Sequence, residues 1–284
     1  MKKTFCLLWL LTFSAIAFSQ SQMPKSSWAK FNDNKVHYTD VGSRKNKDAL
    51  IFVHGWTCNA DFWKESVNAF PEYRVIAIDL PGHGQSDKPK VEYSMEYFAK
   101  SIEAVMKKAK IKNAVLVGHS MGTPVIRQFY RLYPKKTLGL VVVDGALRAF
   151  APRAQMEQFF APLRSDYKTN AARFIDGMLA PVKDENLKQN IRRSMLATPD
   201  YVALSAMEGM ADDAIWTTDK INVPVLAIMA DSPSWKSDVK ELYRTIAPDL
   251  HFQMWKGVSH FLMIDKPSEF NREVRLFIVK KKLL

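Results

Sequence analysis

Short runs of apolar residues alternate with amphipathic stretches along most of the chain. Two short antiparallel strands are predicted over 28–40. The runs that predict buried strands cover residues 50–53, 75–78, 114–117, 138–143, 223–229 and 251–255. Helices are predicted over about 59–70, 94–110 and 237–247, after residue 120 and from residue 267. This alternation is typical of an α/β fold, in which helices cover both faces of a mostly parallel sheet.

Residues 146–216 interrupt the alternation, because they contain no buried β-run. Four helical pieces are predicted there, over 153–161, 171–179, 184–196 and 201–210. We expect a helical cap inserted into a core formed by 20–145 and 217–284. Its main apolar residues are Met156, Phe159, Phe160, Phe174, Met178, Met195, Met207 and Met210. Most are expected to pack within the cap and some to line an apolar acyl or aromatic pocket, because methionine adapts to varied shapes.

The first 19 residues are typical of a secretory signal peptide, with two lysines before an apolar segment, 5–18. That segment is too short for a comfortable transmembrane helix. Residues 17–19 form a small-x-small cleavage site, which predicts a cut before Gln20. Cys6 lies inside the apolar segment, which argues against a lipoprotein anchor. We predict a secreted or periplasmic protein without a stable membrane anchor after cleavage; an uncleaved N-terminal anchor is the alternative.

Charge and cysteine content narrow the classes of function. The formal net charge of the 284 residues is +12, but the basic residues are scattered and no aromatic-interleaved basic stripe occurs, which argues against nucleic-acid binding. After signal removal Cys58 is a lone thiol, expected to be a small packed residue rather than a nucleophile. No metal-ligand spacing, phosphate loop or dinucleotide fingerprint occurs, so we expect no cofactor and no metal.

The clearest chemical motif is Gly118-His119-Ser120-Met121-Gly122, which joins a predicted strand to a predicted helix. This pattern is a nucleophile elbow, a sharp strand-to-helix turn that exposes a serine hydroxyl above the sheet. Glycines are needed on both sides because a β-carbon there would clash. The main-chain N–H of Met121 is expected at the helix N-terminus, where free donors favour a developing negative charge.

Other polar residues also follow predicted strands directly, namely His54, Asp79 and Asp144. The carboxyl ends of parallel strands meet at one edge of the sheet, which is where functional residues of such folds gather. We therefore expect these side chains near Ser120.

These motifs together resemble the α/β-hydrolase fold superfamily, and in particular small bacterial serine esterases and their cofactor-free haloperoxidase or perhydrolase relatives. The matching stretches are His54-Gly-Trp56 with Asp61-Phe-Trp63, Asp79-Leu-Pro-Gly-His-Gly-Gln-Ser-Asp87, Gly118-His-Ser-Met-Gly122 and Gly257-Val-Ser-His260. The resemblance implies that Ser120 is the nucleophile and His260 its base. It also implies an oxyanion hole formed by the main-chain N–H groups of Trp56 and Met121.

Two aspartates are candidates for the acid that orients the histidine. Many members of the superfamily carry the acid in a Gly-x-x-Asp turn after the strand that corresponds here to 223–229, but Asp231 lacks that glycine. Relatives such as haloalkane dehalogenases place it where Asp144 stands. Asp144 is favoured, and Asp231 remains the alternative.

The expected activity is cleavage of small-molecule carboxylic esters with small apolar or aromatic acyl groups, through an acyl-enzyme intermediate. Perhydrolysis, lactone opening, amide hydrolysis and C–C bond hydrolysis remain alternatives on the same residues, and a non-catalytic receptor for a small ligand is a further one. Dehalogenase and epoxide hydrolase chemistry is disfavoured, because those relatives use an aspartate nucleophile where this chain has Ser120.

Overall fold

A computed structural model describes residues 24–149 and 151–284. The predicted signal peptide, 1–19, therefore lies outside the described residues. One eight-stranded sheet forms the centre, with the strand order β1-β2-β4-β3-β5-β6-β7-β8. The strands are β1 (Lys25–Phe31), β2 (Asn34–Val41), β3 (Asp48–Val53), β4 (Val75–Ile78), β5 (Asn113–His119), β6 (Thr137–Val143), β7 (Val225–Ala230) and β8 (Leu250–Trp255).

The sheet confirms the predicted α/β class. β1 and β2 form an antiparallel hairpin, β2 also runs antiparallel to β4, and all other pairs are parallel. Every residue of β4 and β7 is buried, as expected for parallel strands covered on both faces. β8 lies at one edge and is only partly buried, so its sequence is less continuously apolar.

Helices cover both faces of the sheet. The ten α-helices of the described residues are α1 (Lys64–Val67), α2 (Met95–Ala109), α3 (Gly122–Leu132), α4 (Arg153–Ser165), α5 (Tyr167–Leu179), α6 (Glu185–Leu196), α7 (Asp200–Met210), α8 (Val239–Arg244), α9 (Leu262–Asp265) and α10 (Pro267–Lys281). α2 begins where the side chain of Ser94 accepts from the N–H of Tyr97, and it ends at Lys110 in the left-handed conformation.

The helix predicted over 59–70 is shorter and less regular than expected. The structure has a 3₁₀ turn at Ala60–Trp63 followed by the single turn of α1. As the sequence suggested, the side chain of Asn59 caps its start by accepting from the N–H of Asp61 at 3.0 Å. The N–H of Ala60 in addition donates to the carboxylate of Asp79 at 2.7 Å, a contact with a distant loop that the local pattern could not reveal.

The segment between β6 and β7 contains α4 to α7 and a 3₁₀ turn at Asp213–Ile215. Both of its connections to the core are held by arginines of α3. Arg127 donates to the carbonyl oxygens of Leu147 and Thr217, and Arg131 donates to that of Ile215. These bonds tie the two ends of the cap to the helix that follows the elbow. No helix among residues 24–149 and 151–284 combines the length and apolar character needed to cross a membrane.

Candidate active site

Ser120 lies at the apex of a strained turn between β5 and α3. Its φ is 52°, which a non-glycine residue rarely adopts. A β-carbon on Gly118 would lie 2.4 Å from the carbonyl oxygen of Gly122, and one on Gly122 would lie 2.5 Å from that of Val53. The strand and the helix therefore approach so closely that only glycine fits on either side of the serine.

His260 and Asp144 are joined by a hydrogen bond. Nδ1–H of His260 donates to Oδ2 of Asp144 at 2.7 Å. This bond leaves Nε2 of the neutral imidazole unprotonated and able to accept a proton. The carboxylate is almost fully buried, whereas about a fifth of the histidine side chain is exposed.

The second oxygen of Asp144 is also occupied. Its Oδ1 accepts from the main-chain N–H of Ala230 at 2.9 Å and from the indole N–H of Trp235 at 2.8 Å. Asp144 has a φ of 41°, and its own N–H donates to the carbonyl oxygen of Ile228. Three donors and a fixed main chain thus hold the carboxylate in one orientation.

Asp231, the other candidate acid, has a different environment. Its side chain is exposed, and among the described contacts it makes no hydrogen bond to His260. Its main-chain N–H donates to the carbonyl oxygen of Trp255, which continues the pairing of β7 with β8. The structure therefore joins the histidine to Asp144, while Asp231 lines the rim of the cavity described below.

The main-chain N–H groups of Trp56 and Met121 have no hydrogen-bond acceptor within residues 24–149 and 151–284. The loop that carries Trp56 passes close to the elbow, since a β-carbon on Gly55 would lie 3.1 Å from Cβ of Ser120. His54 braces this loop: its Nδ1–H donates to the carbonyl oxygen of Gly55, and its Nε2 accepts from the N–H of Leu80. Two free donors thus flank the serine.

Ser120 and His260 line one cavity, but no hydrogen bond joins them among the described residues. Such a bond is often loose in an unliganded site and tightens when substrate binds. His119 connects the elbow to the histidine loop, because its Nε2–H donates to the carbonyl oxygen of His260 at 2.9 Å. Burial and the neighbouring His260 lower the pKa of His119 well below its usual range, so it is neutral.

The cavity above Ser120 has a volume of about 770 Å³ and is lined mostly by apolar side chains. Seven of the eight apolar cap residues singled out in the sequence line it, namely Met156, Phe159, Phe174, Met178, Met195, Met207 and Met210. All of these except Phe159 also pack into or against the hydrophobic core, so the same side chains both pack and line the pocket. They come from all four cap helices, α4 to α7.

Cys58 also lines the cavity but is buried. Burial raises the pKa of its thiol, so the thiolate does not form at neutral pH and Cys58 is not a nucleophile. No group of histidine, cysteine, aspartate or glutamate residues suited to bind a metal ion occurs in the part of the chain that the structure describes.

Comparison with known proteins agrees with this fold. Residues 48–183 match the model of the alpha/beta hydrolase fold family. The chain has the α/β-hydrolase fold. It is a hydrolase, and this fold implies a small-molecule substrate.

Proteins similar to this hydrolase include a chloroperoxidase and esterases. A non-heme chloroperoxidase from Streptomyces lividans is 26% identical over 86% of this chain and 95% of its own length. An esterase from Exiguobacterium antarcticum superposes with a TM-score of 0.78 at 18% identity, covering 89% of this chain and 99% of the esterase. A thermophilic esterase superposes with a TM-score of 0.73 at 26% identity, covering 91% of this chain and 99% of its own.

Sequence reasoning about this hydrolase did not identify Trp235. The residue lies in the loop between β7 and α8, outside any recognisable motif. No local signal marks it, because its contact with Asp144 spans 91 positions of the chain.

Proposed function

We propose that this hydrolase cleaves carboxylic esters of small apolar or aromatic acyl groups through an acyl-enzyme intermediate. The observation that carries the proposal is the 2.7 Å hydrogen bond from His260 to Asp144 beside the cavity that Ser120 lines. It leaves Nε2 of His260 free to act as the base that a serine nucleophile needs. Asp231 is not needed for this role.

In the first half of the reaction the hydroxyl oxygen of Ser120 attacks the ester carbonyl carbon. Nε2 of His260 takes the hydroxyl proton, and Asp144 stabilises the imidazolium that forms. The N–H groups of Trp56 and Met121 donate to the carbonyl oxygen as it becomes negative. When the carbon–oxygen bond breaks, the imidazolium gives its proton to the departing alcohol.

In the second half water attacks the acyl-serine ester. His260 removes a proton from the water, and the same two N–H groups stabilise the second tetrahedral intermediate. Its collapse releases the carboxylic acid, and the proton on His260 returns to the oxygen of Ser120. The free enzyme is regenerated without a cofactor.

The shape of the cavity supports an apolar or aromatic acyl group. Trp56 and Phe174 pack edge to face at 5.6 Å between ring centroids, and Phe159 packs against Phe174 at 4.8 Å. Such rings bind apolar and aromatic groups by burial and by edge-to-face contact. Arg173 is the one charged residue of the described cap that lines the cavity, and it lies at the exposed rim.

The test is a panel of activated esters of increasing acyl length, with an aromatic ester, a lactone and an amide beside them. We expect turnover of the esters, with a preference for small apolar or aromatic acyl groups. A protein that binds these ligands but turns none of them over would be a receptor, and exclusive turnover of the lactone or amide would replace the ester assignment.

Perhydrolysis is a second candidate, favoured by the match to a non-heme chloroperoxidase over nearly its whole length. Here hydrogen peroxide replaces water in the second half-reaction: its oxygen attacks the acyl-serine, the peracid leaves and the serine is regenerated. The measurement is peracid formation from an ester and hydrogen peroxide, with Ser120→Ala as control. Ester consumption that yields only the carboxylic acid would reject it.

We also propose that residues 1–19 direct export and are removed before Gln20. The two lysines, the apolar segment and the small residues at 17 and 19 support this. Mass spectrometry of the mature protein after expression of the full chain tests it. A mature N-terminus at Met1 in the cytoplasmic fraction would reject it.

A further inference from the structure

Three tryptophans line the cavity, and each donates its indole N–H to a different acceptor. Trp56 donates to the carbonyl oxygen of Ala203, and Trp216 donates to that of Met210, both at 2.8 Å. Both acceptors belong to the main chain of α7. Trp235 differs, because its acceptor is Oδ1 of Asp144.

Trp235 thus lines the cavity and also donates a hydrogen bond to the carboxylate of Asp144. A turn of its own loop fixes its position, since its main-chain N–H donates to the carbonyl oxygen of Ser232 at 3.0 Å. The side chain is half-buried, so its ring contacts both the protein and whatever occupies the cavity.

We propose that Trp235 is a positioning residue of the catalytic centre, which orients Asp144 and draws negative charge away from the oxygen that faces His260. This inference rests on the proposed function, in which Asp144 and His260 act together. If Trp235 has this role, the loop between β7 and α8 contributes to the catalytic centre.

The negative charge of Asp144 is shared between its two carboxylate oxygens. Oδ1 of Asp144 accepts two N–H bonds, while Oδ2 accepts one from His260. Hydrogen bonds to a charged acceptor stabilise the charge on the atom that accepts them. If the indole N–H is removed, more negative charge stays on Oδ2, and the imidazolium form of His260 is favoured. Less of the enzyme then has a free base at mildly acidic pH.

The other titratable groups around this pair do not compete for the effect. His119 packs against His260 from the elbow but is neutral, because burial lowers its pKa. Tyr243 of α8 donates to the carbonyl oxygen of Gly145, and burial raises its pKa, so it is neutral as well. Asp265 of α9 accepts from the N–H of Ser259, and Asp231 is exposed at the rim.

The experiment compares Trp235→Phe with Trp216→Phe and the wild type. Both variants keep an aromatic ring in the cavity wall and lose an indole N–H, but only the first loses a donor to Asp144. The readout is kcat/KM for a short activated ester as a function of pH. A second version of the test replaces Trp235 with benzothienylalanine, which has a sulfur in place of the N–H and preserves the ring shape.

For Trp235→Phe we expect the midpoint of the acidic limb of the pH profile of kcat/KM to move up by about 0.5 to 1 pH unit, because one hydrogen bond to a charged group is lost. We expect kcat to be about tenfold lower and KM to be nearly unchanged. Benzothienylalanine at 235 should reproduce the shift, and Trp216→Phe should leave the midpoint in place. An unchanged midpoint in the folded Trp235 variants would overturn the inference while the proposed function stands. A wild-type protein without ester turnover would remove both.

Discussion

Two sets of one serine, one histidine and one aspartate can be compared in this molecule. In the first, His260 donates to Asp144 at 2.7 Å beside the cavity above Ser120. In the second, Ser26 of β1 bonds His37 of β2 at 2.5 Å, and the other ring nitrogen of His37 donates to Asp79 at 2.8 Å. By residue type and direct bonding, the second set resembles a catalytic triad more completely than the first.

The backbone of the two serines distinguishes the sets. Ser120 stands at a strained turn with a φ of 52°, next to free N–H donors. Ser26 stands in a regular antiparallel ladder, paired with Thr39. It does not line the large cavity, which contains Ser120 and His260.

Asp79 also has another task. Its carboxylate accepts from the N–H groups of Ala60 and Gln85 as well as from His37. Burial alone would raise the pKa of Asp79, but these hydrogen bonds hold it below the usual range. The set around Asp79 therefore ties a hairpin to two loops. The first set alone combines a strained serine, free N–H donors and a cavity, and these are the features on which the proposed function rests.

The largest expected effect separates the two serines. Ser120→Ala should lower kcat for an activated ester by about 10⁴-fold or more, because the nucleophile is lost. Ser26→Ala should leave kcat within about twofold of wild type, because a surface substitution away from the site rarely matters. Steady-state kinetics with folding checked by circular dichroism measures both. A severe loss in Ser26→Ala would make the second set functional.

The next effect separates the two candidate acids. Asp144→Asn keeps the shape of the side chain but favours the wrong imidazole tautomer, which should lower turnover by up to about 10⁴-fold. Asp231→Asn, at the exposed rim, should cost little. Turnover of the two single variants decides between them, and the assignment of Asp144 fails if only Asp231→Asn loses activity.

The third effect is on folding stability and concerns Asp79, the aspartate of the second set. Asp79→Asn should lower the free energy of unfolding by about 1–3 kcal/mol, because a buried charged acceptor is lost. Since the folded-state pKa of Asp79 is depressed, its contribution is present above the unfolded value of about 3.9 and is lost as pH falls through the folded value. Denaturant titrations at pH 7 and below pH 4 should therefore show a difference between wild type and variant that shrinks in acid. A constant difference would contradict this.

The smallest effect concerns the cavity above Ser120. A β-carbon on Gly177 of α5 would meet nothing within 4 Å, although this residue lines the cavity. Gly177→Ala should raise the free energy of unfolding by about 0.5–1 kcal/mol, since the unfolded chain loses freedom. Gly177→Leu should narrow the cavity and shift preference toward short acyl groups by about tenfold. Unchanged chain-length preference in Gly177→Leu would mean that this wall does not contact the acyl group.

The sequence predicted the sheet and the elbow because both depend on local patterns. Continuous apolar runs mark buried strands, and two glycines around Ser120 mark a turn that only glycine permits. The cap helices followed their predicted segments for the same reason. None of these features requires knowledge of distant contacts.

The remaining features depend on contacts between distant parts of the chain. Asp144 and His260 are 116 positions apart, and the choice between Asp144 and Asp231 depends on which strand end faces the histidine loop. The bond from Trp235 to Asp144 has no local signature. The sequence also did not predict the second set, because Ser26, His37 and Asp79 come together only when the β1–β2 hairpin packs beside β4.

The most direct test of the contrast is covalent labelling of the wild-type protein with an organophosphonate. Such a reagent reports a serine whose hydroxyl is activated and whose oxyanion is stabilised. We predict one adduct per chain, located on Ser120 by peptide mass spectrometry, and none on Ser120→Ala. An adduct on Ser26, or labelling of Ser120→Ala at wild-type extent, would contradict the account.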